Sequence, residues 1–480
     1  MIRTDRPITL VEAILPLATM LVCLILGGLL LPIGSELLII VMLVAATVAG
    51  LSAWRRGHGW AAIQHATGER LASVLPAILI LLSIGMLIGS WMFSGTIPTL
   101  VYYGIQWINP KFIVLTAFLV TAMMSLTGSS WAAAGTIGVA LMGVAIAMGA
   151  PLAPTAGAIV SGAYFGDKLS PLSDSTNICA IGAKADLYDH IRNMLYTAVP
   201  SFIVAFVVYF TAGVLADDLL QPISANDNQL LQDIDKIYQL RWWVFLPALI
   251  VIVGTFRRYQ AALTMVASSV VALIVGVVLH GFSIGDALMS SISGFNTDMI
   301  DKSLAPVIAA NESLTSLLNR GGAYSMSSTL ILIITAFLLA AGMDVSGGLN
   351  KLLTTMLNRA RSVFGLVFAT MTSGATMIAL TSHGGVTALI VGGLFQKPYQ
   401  EHGLAPENLS RSMEDSVTIL EPLMPWTVSA LFMATTLGVP TTQYALWAVF
   451  CMTGPIFSLL LAATYSKTGF GLKKLVDRGS

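Results

Sequence analysis

Charge is scarce in this chain: 10% of its 480 residues are Asp, Glu, Lys or Arg, against about 25% in an ordinary soluble domain. That deficit excludes a soluble globular protein. The charges that are present cancel, 24 basic against 24 acidic, and without a basic tract nothing favours a nucleic-acid partner. Cysteine is almost missing. Cys23, Cys179 and Cys451 stand singly in apolar stretches, without the paired spacing of a zinc site or a disulfide framework, and read as small packing residues. There is no GxxxxGK[ST] phosphate loop and no HExxH motif, so nucleotide-driven pumping and zinc hydrolysis have no residues to work with. An intramembrane hydrolase would need a nucleophile and base that are not recognisable here, and Gly166-Asp167 lacks a GxGD context. The chain is not expected to be an enzyme, and no cofactor is expected.

What is abundant is uninterrupted apolar sequence. Ile8 to Leu31, Glu36 to Trp54, Leu71 to Ser94, Trp242 to Phe256, Ala261 to His280, Tyr324 to Gly342 and Tyr444 to Tyr465 each read as a helix crossing a hydrocarbon core of about 30 Å. The first run is too long for a secretory signal, and a second follows after the turn Pro32 to Ser35. Basic residues set the orientation. Arg3, Arg6, Arg55, Arg56, Arg257, Arg258, Lys351, Arg359, Arg361, Lys467, Lys473, Lys474 and Arg478 flank apolar runs and mark cytoplasmic loops and cytoplasmic N- and C-termini. The connector Asp217 to Gln239, with Asp217, Asp218, Asp227, Asp233 and Asp235 against Lys236, is expected outside.

An inside start and an outside connector give each half the opposite orientation, the parity of an inverted-topology repeat. Short matches support a duplication: Met124-Ser-Leu-Thr with Ile378-Ala-Leu-Thr, Leu152-Ala-Pro with Leu404-Ala-Pro, and Ser170-Pro-Leu with Glu421-Pro-Leu, in the same order. The expected fold class is an all-α polytopic membrane protein with about ten transmembrane helices plus re-entrant or discontinuous helices in two inverted repeats. Residues 1–216 form the first repeat, 217–239 an external polar connector and 240–480 the second repeat.

Polar residues locate the breaks. Lys111 to Gly149 would be about 58 Å long as one helix, so it must be interrupted, at Thr127-Gly-Ser129-Ser130. The stretch Gly166 to Asn177 carries Asp167, Lys168, Ser170, Ser173, Asp174, Ser175, Thr176 and Asn177 between apolar flanks. A charge at the bilayer centre costs at least about 2.5–3.5 kcal/mol, so this backbone is buried in protein or lines a cavity. The second half has Thr381-Ser382-His383 and then Glu414, Asp415, Ser416, Thr418 and Glu421. Oxygen-rich breaks of this kind suit a hard monovalent cation, and half-helix ends suit either sign of charge. Bland readings compete. On these, Lys168 only pairs with Asp167 at a helix end, Glu414 and Asp415 cap a half-helix at the membrane surface, His383 is a packing residue instead of a proton carrier, and the hydroxyls of the breaks serve freed backbone groups.

Tyr164-Phe-Gly-Asp-Lys-Leu-Ser-Pro-Leu-Ser-Asp-Ser-Thr-Asn177, with Leu404 to Ser416 and Pro422-Leu-Met-Pro-Trp426, resembles the signatures of the NhaC-type sodium/proton antiporter family of the ion transporter superfamily. The resemblance covers nearly the whole chain. It implies a secondary transporter of the bacterial inner membrane coupled to sodium and protons; a homodimer is a further expectation. It carries over Asp167, Lys168, Ser170, Asp174, Ser175, Thr176, Asn177, Glu414, Asp415 and Ser416 as site residues. Two departures stand out: a Gly-Asp-Gln stretch typical of the family is here Ser382-His-Gly-Gly385, placing Gly384 where the Asp falls, and a Ser-Pro-Leu is here Glu421-Pro-Leu.

The leading expectation is a sodium/proton antiporter working by alternating access, with Asp167 and Asp174 binding sodium or a proton in competition and sodium lodged at Asp174 and Thr176. A desolvated carboxylate can make that exchange near neutral pH. The alternative keeps the fold but moves a small organic acid or amino acid, such as malate or lactate, its carboxylate held at the half-helix N-termini beside Thr127 to Ser130 and Ser382 to Gly385.

Overall fold

The computed structural model describes residues 8–215, 225–309, 312–357 and 362–475. Arg3, Arg6, Asp217, Asp218, Arg359, Arg361 and Arg478, and the side chain of Asp227, lie outside them. Among the described residues, 9 helices are long and apolar enough to cross a membrane, or up to 12 if each sharply bent pair is one span. The polarity of the molecule is that of a membrane protein. Large apolar side chains such as Leu29, Leu30 and Val278 face outward, whereas Arg411, Lys168, Glu414 and Asp415 are at most 1% exposed. With no water in the hydrocarbon to solvate them, charges survive only inside the protein.

Outer helices Leu10–Leu30 and Ser35–Arg55 pack on each other, the first started by a capping box between Thr9 and Glu12. Two expectations need correcting. Trp242 to Phe256 is not a straight span: a 3₁₀ turn precedes the short helix Leu246–Phe256, and the axis bends by 92° from the helix before it. The connector expected to be simply polar carries the helix Ala225–Ile237, which buries Leu230 and Ile234. The short helices Ile284–Ile292, Ala305–Ala309 and Glu312–Leu318 had no apolar run to announce them.

Eight helices surround the centre. In the first half they are α1 (Ile113–Ser125), α2 (Ser130–Ala147), α3 (Leu152–Leu169) and α4 (Asp174–Ala183). In the second they are α5 (Val363–Thr381), α6 (Gly384–Glu401), α7 (Pro406–Met413, continued by a π turn Glu414–Thr418) and α8 (Val428–Leu437). The break expected near Thr127 falls between α1 and α2, where Gly128 takes φ +108, a backbone open to glycine but strained for other residues. Its Cα lies against the second break: a Cβ there would come 2.6 Å from Leu172 Cβ. In the second half the breaks also cross, the Val428 amide donating to the Ser382 carbonyl at 3.0 Å and the Trp426 indole to the Ala379 carbonyl at 2.8 Å.

The halves interlock. Helix α4 of the first half packs on α6 and α7 of the second, while α8 of the second packs on the π turn within α2. The approach of α4 to α6 needs glycine, since a Cβ on Gly392 would sit 2.4 Å from the Gly182 carbonyl oxygen. Trp131 of α2 stacks on Phe432 of α8 with ring centroids 4.2 Å apart.

Candidate cation-binding site

The crossed breaks border an open cavity of about 460 Å³, lined by Asp167, Asp174, Ser175 and Asn177 from the first half and by His383, Thr418 and Glu421 from the second. Helix α3 delivers Asp167 in its last turn, where the chain must leave the helix before Pro171. Its Oδ1 accepts from the Ser130 amide at 3.1 Å, at the start of α2, and its Oδ2 accepts from the Ser175 hydroxyl at 2.9 Å. The same hydroxyl lies 3.4 Å from Glu414 Oε1, and Ser173 Oγ is 2.9 Å from it on another side. One hydroxyl thus stands between carboxylates of the two halves. Among the described residues Glu414 Oε2 has no hydrogen-bond partner.

A buried ion pair lies behind this cluster. Lys168 Nζ pairs with Asp415 Oδ1, and the Thr197 hydroxyl is 3.3 Å from both. The lysine is therefore not the helix-end partner of Asp167, and Glu414 and Asp415 are not surface caps. The π turn explains the geometry: widening the helix by one residue per turn at Glu414–Thr418 lets the adjacent Glu414 and Asp415 reach Ser175 and Lys168, both in the first half.

Other expected residues are placed differently. Asp174, the first residue of α4, is exposed on the cavity wall. Thr176 is turned away from it, its hydroxyl donating to the carbonyls of Asp167 and Lys168 at 3.2 and 3.3 Å. The sodium seat expected at Asp174 and Thr176 is thus parted, because two positions along a helix turn a side chain by about 200°. Asn177 closes the break from below, its amide donating to the carbonyls of Pro171 and Ser173 at 3.0 and 2.7 Å. Thr127 caps α1 through the Met124 carbonyl, and Ser129 caps α2 by accepting from the Ala132 amide. Thr381 and Thr387 bond each other, Ser382 adopts φ 59, and Ser416 donates to the Ser412 carbonyl, all away from the cavity. His383 lines it, its Nδ1 without a partner among the described residues.

A second polar cluster escaped the sequence reading. Arg411, fully buried on α7, donates to Asn193 Oδ1 at 2.6 Å and to the Gly471 carbonyl at 2.7 Å. Asn408 bonds Asn193 and both backbone groups of Lys473, fastening the C-terminal segment to α7. An arginine inside an otherwise buried helix was the available signal.

A profile of the Na+/H+ antiporter family matches residues 162–464, the part of the chain that holds both carboxylate clusters. An "Uncharacterized Na(+)/H(+) antiporter" of Haemophilus influenzae is 40% identical over 474 residues, 98% of each chain. The chain belongs to the Na+/H+ antiporter family. Another relative is the Na(+)/H(+) antiporter NhaC of Bacillus subtilis, 33% identical over 84% of this chain and 87% of its own. The Malate-2H(+)/Na(+)-lactate antiporter of the same organism is 30% identical over 96% and 95%. For this member of the Na+/H+ antiporter family, matches over nearly full length mean that the outer helices belong to the shared architecture as well as the centre.

Proposed function

We propose that the protein is a sodium/proton antiporter in which Asp167 and Glu414, joined through Ser175, bind sodium and protons in turn. The observation that carries the reading is that bridge between the halves: two buried carboxylates within reach of one hydroxyl, beside a cavity. Ionised together they repel in a medium of low dielectric, and either a sodium ion or a proton relieves the repulsion. The ligands of one occupant are the binding groups of the other, so each displaces the other. Sodium would find oxygens at Asp167, Ser173, Ser175 and Glu414, a ligand set suited to a hard cation. The Lys168–Asp415 pair carries no net charge and holds α3 to α7 across the halves while the neighbouring carboxylates change occupant. Coupling then needs no nucleotide: the loaded site turns between the two faces of a bacterial inner membrane, the two halves acting as inverted repeats and both termini lying in the cytoplasm.

A second reading has one specific observation in its favour, a cavity of about 460 Å³, far larger than a bare sodium ion needs. It would let the site exchange a small organic acid, as the name of the malate/lactate relative states for that protein.

Everted vesicles energised to an acid interior, with a fluorescent pH probe, test the main reading. Added sodium should collapse the gradient in the wild type and fail to do so in Asp167→Asn, while Asp174→Asn, at the cavity wall, keeps a measurable response. A full sodium response from Asp167→Asn, inserted at wild-type level, would overturn the assignment.

A further inference from the structure

The second reading requires a seat for an organic carboxylate, and the natural seats beside this cavity are helix N-termini, with free amides and the positive end of the dipole. Two of them, at α2 and α6, already face carboxylates of the protein. At α2 the Ser130 amide is given to Asp167. At α6 the occupant is Glu421, which comes from the break after α7: a Cβ placed on Gly384, the first residue of α6, would lie 2.7 Å from Glu421 Oε2. Ser429, in the first turn of α8, lines the same cavity. Glu421 is 7% exposed and borders the cavity. Among the described residues no Lys, Arg or His forms an ion pair with it.

Its carboxylate therefore lies against the start of α6 on one side and borders the cavity on the other. A solute carboxylate entering here would meet a negative oxygen where it needs an amide. A cation would meet a ligand. We propose that Glu421 sets the class of solute this cavity accepts, closing the α6 seat to organic carboxylates and giving a cation an additional oxygen. The inference deepens the antiporter reading and rests on it. It also gives Gly384 a reason: any side chain there would occupy the space of the Glu421 carboxylate.

The test uses the full-length protein in liposomes, measuring labelled malate and lactate uptake under a sodium gradient together with sodium-driven proton flux. The wild type should take up neither acid, and Glu421→Ser, which empties the seat, should raise uptake of at least one of them tenfold or more. The isosteric Glu421→Gln, safest for folding, should keep the seat filled and closed while weakening sodium activation of the proton flux about tenfold. Gly384→Asp combined with Glu421→Ser returns a carboxylate to the same space from the other chain segment, and should restore exclusion of both acids. Uptake by the wild type equal to that of Glu421→Ser would overturn the proposal. So would a folded, sodium-responsive Glu421→Ser that stays closed to both acids. Absence of sodium-driven proton flux in the wild type would instead overturn the antiporter reading, while the uptake comparison still decides the role of Glu421.

Discussion

Removing the Lys168 ammonium should be among the most damaging single changes in the membrane interior. Lys168 and Asp415 are at most 1% exposed, and Lys168→Met leaves the aspartate with the Thr197 hydroxyl at 3.3 Å as its neighbouring donor, its Oδ2 already without a partner among the described residues. Stripping one member from a buried pair costs about 3–5 kcal/mol, because the other charge stays buried and uncompensated. An unfolding entropy of about 2.1 cal/mol/K per residue over 480 residues gives close to 1 kcal/mol/K. The expected loss is therefore roughly 3–5 °C in Tm. Adding Asp415→Asn removes the stranded charge, and the double variant should recover most of that loss, since a buried pair replaced as a unit is often close to neutral. The assay is thermal melting of detergent-solubilised protein, all variants at one heating rate, because membrane proteins commonly unfold irreversibly. A Lys168→Met protein melting within about 1 °C of wild type would refute the reasoning, as would a double variant that loses the sum of its singles.

Two further outcomes follow from the packing. Gly392→Ala pushes a methyl to 2.4 Å from the Gly182 carbonyl oxygen and should cost about 1–3 kcal/mol, read as a lower melting temperature, whereas Gly393→Ala, with open space around it, should melt like the wild type. Asn408→Ala deprives the Lys473 backbone of both its side-chain partners and should cost about 1–3 kcal/mol, with faster proteolysis of the C-terminal segment as a direct readout.

The helical membrane class was plain from run length and from the shortage of charge, because lipid allows few other solutions. The breaks were equally legible where Gly128 and a cluster of hydroxyls interrupt apolar sequence. What the sequence could not assign was pairing. Asp167 draws its ligands from Ser130 and Ser175 and faces Glu414 of the other half, so nothing local distinguished it from Asp174, a few residues away and turned to the cavity. Lys168 stood beside one carboxylate in sequence and bonded another across the halves, because a π turn shifts α7 by a residue. The sequence shows a carboxylate lost at Gly384 and one gained at Glu421; only the fold shows that the two positions adjoin. The helix at 225–237 was hidden because its buried face is narrow and its composition acidic.

The interlocking of the halves has a consequence for how the protein is made. Lys168 and Asp415 are 247 residues apart in the chain, and at 5–20 residues per second a ribosome needs roughly 12–50 s to travel that distance. During that interval the first half sits in or beside the translocation machinery with Lys168, whose partner Asp415 does not yet exist. It must be shielded by insertion factors or by water until α7 arrives. Quality-control proteases have their opening in that window, and variants that weaken the later contacts should be lost there as nascent protein before any defect in transport is measured.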